Sequence, residues 1–276
     1  MTSANKIENG GKPMTDWLND WIEDLDWLAS ELPRKHMDLF HQVTEHAFLA
    51  QINHLKADLF DCDNTMVMTR LMAIIASIGD AHTALVPAVN RYLPFEFYWF
   101  AEGLHIIGAT SEQQDWLGAR VIAIESQPIA DVIDALSEII AHENKSFLAA
   151  QLPAFLAAAD LLYGLEICDH PGTVQLTLMK RDGKPTRVTV ATVGLNDRAS
   201  DMIRLEEIAA GPAESNGTIL PLYRQHRNQS FWFTPVEPEL LYVQYNTCKE
   251  LTDSPIAASF AVLLATISNQ HPAKII

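Results

Sequence analysis

The hydrophobic pattern of the chain changes its period at Pro87. Before this residue, apolar side chains such as Met68, Leu71 and Ile75 recur every three or four positions, which places them on one face of a helix. After it, short runs alternate between apolar and polar residues, which is the pattern of strands with one buried face. The change predicts an α+β fold in which a helical region precedes a sheet.

The first part of the chain carries the boundary signals of several helices. Capping residues, apolar stripes and prolines predict a bundle of about four helices between residues 13 and 79. Their expected starting points are Thr15, the vicinity of Arg34, Thr44 and Asp63. Pro33 is expected to end the first helix, because proline lacks the backbone N–H that a helix interior needs. The polar residues 1–12 are expected to be disordered.

The middle of the chain carries the signals of antiparallel strands. Two hairpins are predicted, each with a glycine at its turn, and they pair 95–100 with 104–109 and 174–180 with 186–193. Between them, a strand over 119–125 leads into a helix over 129–140, and a helical insertion interrupted by Pro153 follows. Residues 196–238 are rich in glycine and proline and predict a connector with a strand near Phe231.

The last segment begins a β-helix-β unit. Leu240–Tyr245 predicts a strand, 255–267 a helix, and the apolar run at 274–276 the start of a second strand. Two parallel strands and one helix cannot bury both faces of a sheet. We therefore expect this segment either to complete the sheet of another chain or to be the front part of a longer protein. Its open edges are expected to favour self-association.

The composition narrows the classes of partner. A formal net charge of −16 and a pI near 4.9 argue against nucleic acid and anionic membranes, because an acidic protein gains nothing from phosphate contacts. No stretch reaches the roughly 18 continuous apolar residues of a membrane-spanning helix, and the first residues contain no apolar leader, so a cytoplasmic location is expected. The isolated Cys62, Cys168 and Cys248 predict neither a disulfide framework nor a zinc ribbon.

A polar loop follows the end of the last predicted helix. Gly79 is placed to close that helix in the left-handed conformation, and Asp80, His82 and Thr83 come directly after it. A loop supported by a packed helix is suited to hold a catalytic imidazole. The alternative is that Asp80 and Thr83 only tie the turn together through hydrogen bonds and that His82 has no role. The residues alone leave both interpretations open.

Four further histidines in the helical region raise the question of a metal site. They are His36, His41, His46 and His54. Spacings of five and eight residues scatter them around helix faces, and no acidic residue recurs with them as in H-E-x-x-H. We therefore expect neither a metal nor a cofactor.

The order of these segments resembles that of the tail-specific, or C-terminal-processing, serine peptidases, and within them the tricorn-like branch. The resemblance rests on the GDAHT loop at 79–83, the segment LGARVIAIESQPIADVIDAL at 117–136, the hairpin around Asp182 and Gly183, and LLYVQYN followed by AKII. It covers residues 30–276. In that family a helical region precedes a PDZ-like domain, and an α/β catalytic core of the ClpP/crotonase type follows.

The resemblance implies a division of the chain and a role for the polar loop. The implied parts are a helical domain at 13–88, a PDZ-like domain at 89–195 with a helical insertion at 144–170, the connector at 196–238, and the beginning of the catalytic core at 239–276. Family members cleave peptides with a serine nucleophile that is activated by a lysine or, in the tricorn-like branch, by a histidine. His82 matches that histidine, as general base, with Asp80 and Thr83 as its supporting loop.

The resemblance also implies what this segment lacks. The nucleophilic serine and the oxyanion hole belong to a part of the core beyond Ile276, so the 276 residues alone are expected to be catalytically inert. The implied partners are unstructured peptides or protein C-termini. Ser77, Ser126 and Ser254 lack the G-x-S-x-G context of another kind of hydrolase.

A non-catalytic module is the alternative function. In this hypothesis the β-rich middle binds peptide termini through strand addition. Such a module needs a basic group for the terminal carboxylate, and the local candidates are Arg120, Lys180 and Arg181.

Overall fold

The structure is a computed structural model that describes residues 14–205, 221–226, 228–250 and 255–276. It contains 46% helix and 23% strand, which agrees with the predicted α+β class. The chain divides into two compact units, residues 1–209 and 210–276. Within the described residues, every helix is too short or too polar to span a bilayer.

The first unit begins with helices. These are α1 (Met14–Lys35), α2 (Glu45–Asp58) and α3 (Asn64–Ala76). The predicted caps of α2 and α3 are confirmed, because side-chain oxygens of Thr44 and Asp63 accept hydrogen bonds from backbone N–H groups in the first helical turn. The buried faces of the helices meet in one core, which includes Leu25, Phe48, Ile52, Leu71 and Ile75.

Some boundaries in this region differ from the prediction. α1 continues past Pro33 to Lys35, because a proline in the final turn removes a hydrogen bond only where the helix is already ending. Thr15 lies inside the first turn of α1 instead of capping it. The prediction of a helix near Arg34 is wrong: residues 36–43 form turns and bends, so the described residues before Pro87 form three α-helices, with a short 3₁₀ turn at Leu59–Asp61 between the second and third, rather than a bundle of about four.

A sheet follows the helices. Its described strands are β1 (Phe95–Phe100), β2 (Gly103–Thr110), β3 (Arg120–Ile124), β4 (Gln127–Pro128), β5 (Thr173–Met179), β6 (Pro185–Ala191) and β7 (Met202–Arg204). The order is β1-β2-β3-β5-β6, with β4 on β3 and β7 on β2, and every pair is antiparallel. Both predicted hairpins are present. Gly103 and Gly183 adopt positive φ at their turns, a conformation that favours glycine.

Three helices contribute to the core of this sheet. They are α4 (Ile129–Ile139), α5 (Lys145–Ala157) and α6 (Ala159–Gly164). α4 buries Val132, Leu136 and Ile139, which recur at helical spacing and join the core of the sheet. The predicted insertion is helical, but α5 runs through Pro153 and the break comes later, at the extended residue Ala158.

Helix α3 connects the helical core to the sheet. Met72 of α3 belongs to the core of the sheet, whereas other apolar residues of the same helix belong to the helical core. The hydroxyl of Tyr163 on α6 donates a 2.7 Å hydrogen bond to Asp63, and this bond to a carboxylate raises the pKa of Tyr163 to about 12. The predicted domains 13–88 and 89–195 therefore lie in one compact unit, and the boundary between them stays a prediction.

The start of the predicted connector at 196–238 is more regular than expected. A helix, α7 (Leu195–Ser200), leads into β7, which pairs with β2. Arg204 donates two hydrogen bonds of 2.8 and 2.7 Å to the carboxylate of Glu96, and this bidentate pair fixes β7 on the sheet. The glycine and proline residues at 211–217 lie outside the described part of the chain.

The second unit contains the predicted β-helix-β unit. Its described elements are β8 (Phe231–Glu237), β9 (Leu240–Tyr245), α8 (Ile256–Gln270) and β10 (Lys274–Ile275). β10 pairs in parallel with β9, and β8 pairs with the other edge of β9 in the antiparallel direction. The buried core is small and consists of Phe231, Leu241 and Leu263. Large apolar side chains on α8 remain exposed, namely Phe260, Val262 and Leu264.

We expect Tyr163→Phe to lower the free energy of unfolding by about 1 to 2 kcal/mol, because a hydrogen bond to a charged carboxylate is lost. Urea denaturation followed by tryptophan fluorescence measures this change. Tyr98→Phe is the matched control, since Tyr98 is an exposed tyrosine on β1. Equal effects of the two substitutions would contradict a stabilising role for the bond between Tyr163 and Asp63.

Candidate functional site

The polar loop begins at a glycine in the left-handed backbone conformation. Gly79 follows α3 with φ of 76°, and a Cβ at this position would lie 2.6 Å from Cδ of Gln42. The positive φ favours glycine, whereas the flexible end of Gln42 can move aside. Buried residues Ile75 and Ile78 hold the preceding turn in the helical core. The loop therefore starts from a fixed point, as the sequence predicts.

The carboxylate of Asp80 holds the loop together. One oxygen accepts the backbone N–H of His82 at 2.9 Å, and the other accepts the hydroxyl of Thr83 at 2.7 Å. These hydrogen bonds, led by the one from Thr83, lower the pKa of Asp80 to about 2. Asp80 is therefore ionised at neutral pH, and the backbone around His82 is restrained.

His36 is a member of this cluster that the sequence did not indicate. Its Nε2 lies 2.9 Å from the hydroxyl oxygen of Thr83 and 3.2 Å from the carboxylate of Asp80. Its Nδ1 accepts the backbone N–H of Asp38, so the proton of the neutral ring is assigned to Nε2. His36 lies in the turns after α1, and no local spacing relates it to a loop more than forty positions later.

His82 itself points into solvent. Its side chain is 92% exposed, and its Nδ1 lies 3.7 Å from Asp80 and 3.9 Å from Glu143. Both distances exceed those of a hydrogen bond. Glu143 comes from the loop after α4 and also accepts a long, 3.4 Å hydrogen bond from the N–H of Ala81. The backbone of His82 is thus held, while its imidazole is free to meet another group.

The three predicted site residues are close together but have different surroundings. The hydrogen bonds expected of a turn that only holds itself together are present, because Asp80 accepts hydrogen bonds from Thr83 and from the backbone of His82. It also leaves the ring of His82 accessible, which a general base requires. Their assignment to catalysis stays a prediction.

No nucleophile accompanies His82 in the described part of the chain. There, no hydroxyl or thiol hydrogen-bonds to its ring. The hydroxyl of Ser77 donates to the carbonyl of Ile74, and Ser126 lines a separate cavity, while Ser254 lies outside the described residues. Burial raises the pKa of Cys168 to about 11, so its thiol is not an activated nucleophile.

The cavity that includes Ser126 is distinct from the polar loop. It has a volume of about 380 Å³ and its lining includes Glu125, Glu166, Cys168 and Arg187. No residue at 79–83 lines it. The cavity therefore contributes nothing to the surroundings of His82.

Potential metal ligands lie close together beside the ring of His82. Among the described residues, Asp80, His82 and Glu143 are the group of potential ligands whose donor atoms all lie within 4.8 Å of one another. Of these, Glu143 had no signal in the sequence, because it comes from a loop between two helices of another part of the fold.

Comparison with known proteins relates the chain to a protease by its fold. No family model matches the sequence, and no curated protein matches it. Solved structures of CPAF, a chlamydial serine protease, are similar to it. Mature CPAF in complex with lactacystin has a TM-score of 0.57 and 15% identity, and the alignment covers 91% of this chain and 54% of CPAF. A serine-to-alanine variant of CPAF has a TM-score of 0.56 and 13% identity, covering 92% and 54%.

A third structure, of mature CPAF alone, has a TM-score of 0.50 and 15% identity, covering 92% of this chain and 53% of the other. The chain therefore spans about half the length of the CPAF structures that it matches. At these identities the similarity establishes a shared fold. It extends over nearly the whole of this chain, across both the helical region and the sheet.

We expect Asp80→Asn to lower the midpoint of urea denaturation at pH 7, because the amide cannot replace the ionised carboxylate. The pKa of Asp80 is lowered on folding, so its carboxylate stabilises the folded chain above about pH 4, and this contribution is lost as the pH falls toward 2. The difference between wild type and Asp80→Asn should therefore shrink over that range. Urea midpoints measured at several pH values test the trend.

The exposed Asp115 provides the control for this experiment. Asp115→Asn should have little effect on the midpoint at any pH. A difference between wild type and Asp80→Asn that stays constant from pH 7 to 2 would contradict the role of the charged form of Asp80.

Proposed function

We propose that this chain is part of a serine peptidase of the tail-specific protease type, in which His82 is the general base. The observation that carries the proposal is the similarity to CPAF over 91% of the chain, combined with an accessible imidazole on a restrained loop. The similarity is one of fold, and the chemistry is inferred from the loop. The resemblance of the GDAHT sequence to the tricorn-like branch supports the same choice of base.

In this proposal His82 removes the proton of a serine hydroxyl as that oxygen attacks the peptide carbonyl, and then returns the proton to the leaving amine. A positioned base of this kind contributes roughly 10² to 10⁴ in rate. Asp80 restrains the backbone of His82, because its carboxylate accepts the N–H of His82. Glu143 and Asp80 both place negative charge near Nδ1, which favours the imidazolium formed during attack.

The serine and the oxyanion hole are proposed to lie outside the 276 residues. The absence of a hydroxyl or thiol bonded to the His82 ring in the described residues supports this, as does the coverage of only about half of CPAF. Without a nucleophile and oxyanion donors, the base alone has nothing to activate. We therefore propose that this segment on its own does not hydrolyse peptides.

The proposed substrates are unstructured peptides or protein C-termini, recognised at the PDZ-like part of the sheet. β1 is the end strand of the main sheet order, and its second half carries the exposed aromatic side chains of Tyr98, Trp99 and Phe100. An exposed strand edge can bind an extended peptide through backbone hydrogen bonds, and neighbouring aromatic rings add apolar contact.

The second candidate function is a peptide-binding module without catalysis, and the same strand edge favours it. Two of the basic residues considered for binding the carboxylate of a peptide C-terminus, Arg120 and Lys180, already interact with other groups of the chain. Arg120 donates to the carbonyl of Glu102, and the ammonium of Lys180 lies 4.4 Å from the centre of the Trp116 ring. Saturable peptide binding by a native protein that never cleaves the peptide would support the module.

We expect the protein purified from its native source to exceed 30.8 kDa and to cleave an unstructured fluorogenic peptide. His82→Ala in that protein should lower kcat by about 10² to 10⁴, because the base is lost. His54→Ala is the matched control, since His54 is an exposed histidine on α2, and it should leave kcat unchanged. Full activity in His82→Ala, or cleavage by the isolated 276 residues, would contradict the proposal.

We expect the isolated segment to self-associate, because α8 exposes Phe260, Val262 and Leu264 and leaves much of its apolar surface in water. Light scattering over a range of concentrations measures the oligomeric state. A monodisperse monomer at every working concentration would contradict this expectation.

A further inference from the structure

Three side chains with metal-binding groups converge beside the ring of His82. They are Asp80 and His82 in the loop after α3 and Glu143 in the loop after α4. Nδ1 of His82 faces both carboxylates, at 3.7 Å from Oδ1 of Asp80 and 3.9 Å from Oε1 of Glu143. All three donor atoms lie within 4.8 Å of one another.

These distances are too long for hydrogen bonds but close to those between ligands of a single ion. Hydrogen bonds between N and O span about 2.7 to 3.2 Å. Two ligands that each lie about 2.1 Å from a tetrahedral zinc ion are separated by roughly 3.4 Å. The side chains of His82 and Glu143 are 92% and 52% exposed, so they are free to rotate by the small amount that closes this difference.

The chemistry of the donors selects a class of ion. One imidazole nitrogen and two carboxylate oxygens suit the borderline divalent transition metals, of which Zn²⁺ is an example. The net charge of −16 attracts cations to the chain as a whole.

We propose that Asp80, His82 and Glu143 bind a divalent transition-metal ion, with water molecules filling its remaining coordination positions. A ring bound to metal through Nδ1 carries its proton on Nε2, so Nε2 has no lone pair with which to accept another proton. Metal binding therefore blocks the use of His82 as a base. This inhibitory consequence rests on the function proposed above, whereas binding itself does not.

Isothermal titration of the 276-residue chain with Zn²⁺ tests the site directly. We expect one ion per chain, with an affinity that falls by about tenfold or more in His82→Ala and in Glu143→Gln, because each removes a ligand. Both side chains are exposed, and neither variant removes the hydrogen bonds by which Asp80 holds the loop. Circular dichroism confirms that each variant is folded.

Two control variants identify competing sites. His54→Ala removes an exposed histidine from α2, and Cys248→Ser removes the exposed thiol of the second unit. Both should bind Zn²⁺ as the wild type does. The proposal is overturned if no saturable binding occurs, if both His82→Ala and Glu143→Gln retain the wild-type affinity, or if binding disappears only in Cys248→Ser.

Peptide hydrolysis by the native protein separates this proposal from the proposed function. Zn²⁺ binding that requires His82, in a protein without peptidase activity, would support the metal site and contradict the peptidase. If the native protein hydrolyses peptides in a way that depends on His82, and the 276-residue chain does not bind Zn²⁺, the peptidase is supported and the metal site is overturned.

Discussion

The ionised carboxylate of Asp80 is the interaction on which the geometry of the candidate site depends. It accepts hydrogen bonds from the hydroxyl of Thr83 and the backbone N–H of His82, and Nε2 of His36 lies within hydrogen-bond distance of it. The bonds use both oxygens, so the carboxylate fixes the turn in one arrangement. The ring of His82 takes no part in them and stays exposed. The hydrogen bonds to Asp80 therefore hold the backbone of the loop, and the imidazole of His82 is left accessible.

The fold places this network by means of α3. The helix is packed in the helical core on one side and contributes Met72 to the core of the sheet on the other. At its beginning, Asp63 both caps the helix and accepts the hydroxyl of Tyr163. At its end, the chain turns at Gly79, whose positive φ of 76° favours glycine. Both ends of α3 are therefore fixed, and the loop that follows α3 lies in a defined position beside the loop after α4, which supplies Glu143.

Features set by neighbouring residues were predictable from the sequence. The caps at Thr44 and Asp63 and the turn at Gly79 depend on a few adjacent positions, and all three are present. The hairpins and the β-helix-β unit likewise follow from local periodicity and turn residues. Prolines were less informative, because α1 continues past Pro33 and α5 continues past Pro153.

Contacts between distant segments were not predictable in the same way. His36 reaches the loop from turns that the sequence indicated as a helix, and Glu143 reaches it from beyond the sheet hairpin. Neither residue has a spacing that relates it to His82, since only tertiary packing brings these segments together. The resemblance to tail-specific peptidases identified His82 as a candidate base with Asp80 and Thr83 beside it, but it did not identify His36 or Glu143 as neighbours. Of the metal ligands proposed here, Glu143 became visible only with the structure.

We propose that His82 activates a serine that lies outside these 276 residues. Labelling the native protein with a fluorophosphonate, a reagent that modifies activated serines, and locating the label by mass spectrometry tests it most directly. We expect the label on a serine outside residues 1–276, at a rate that falls by about 10² to 10⁴ in His82→Ala. Labelling at an unchanged rate in His82→Ala, or on a serine within residues 1–276, would contradict the assignment of His82 as the base.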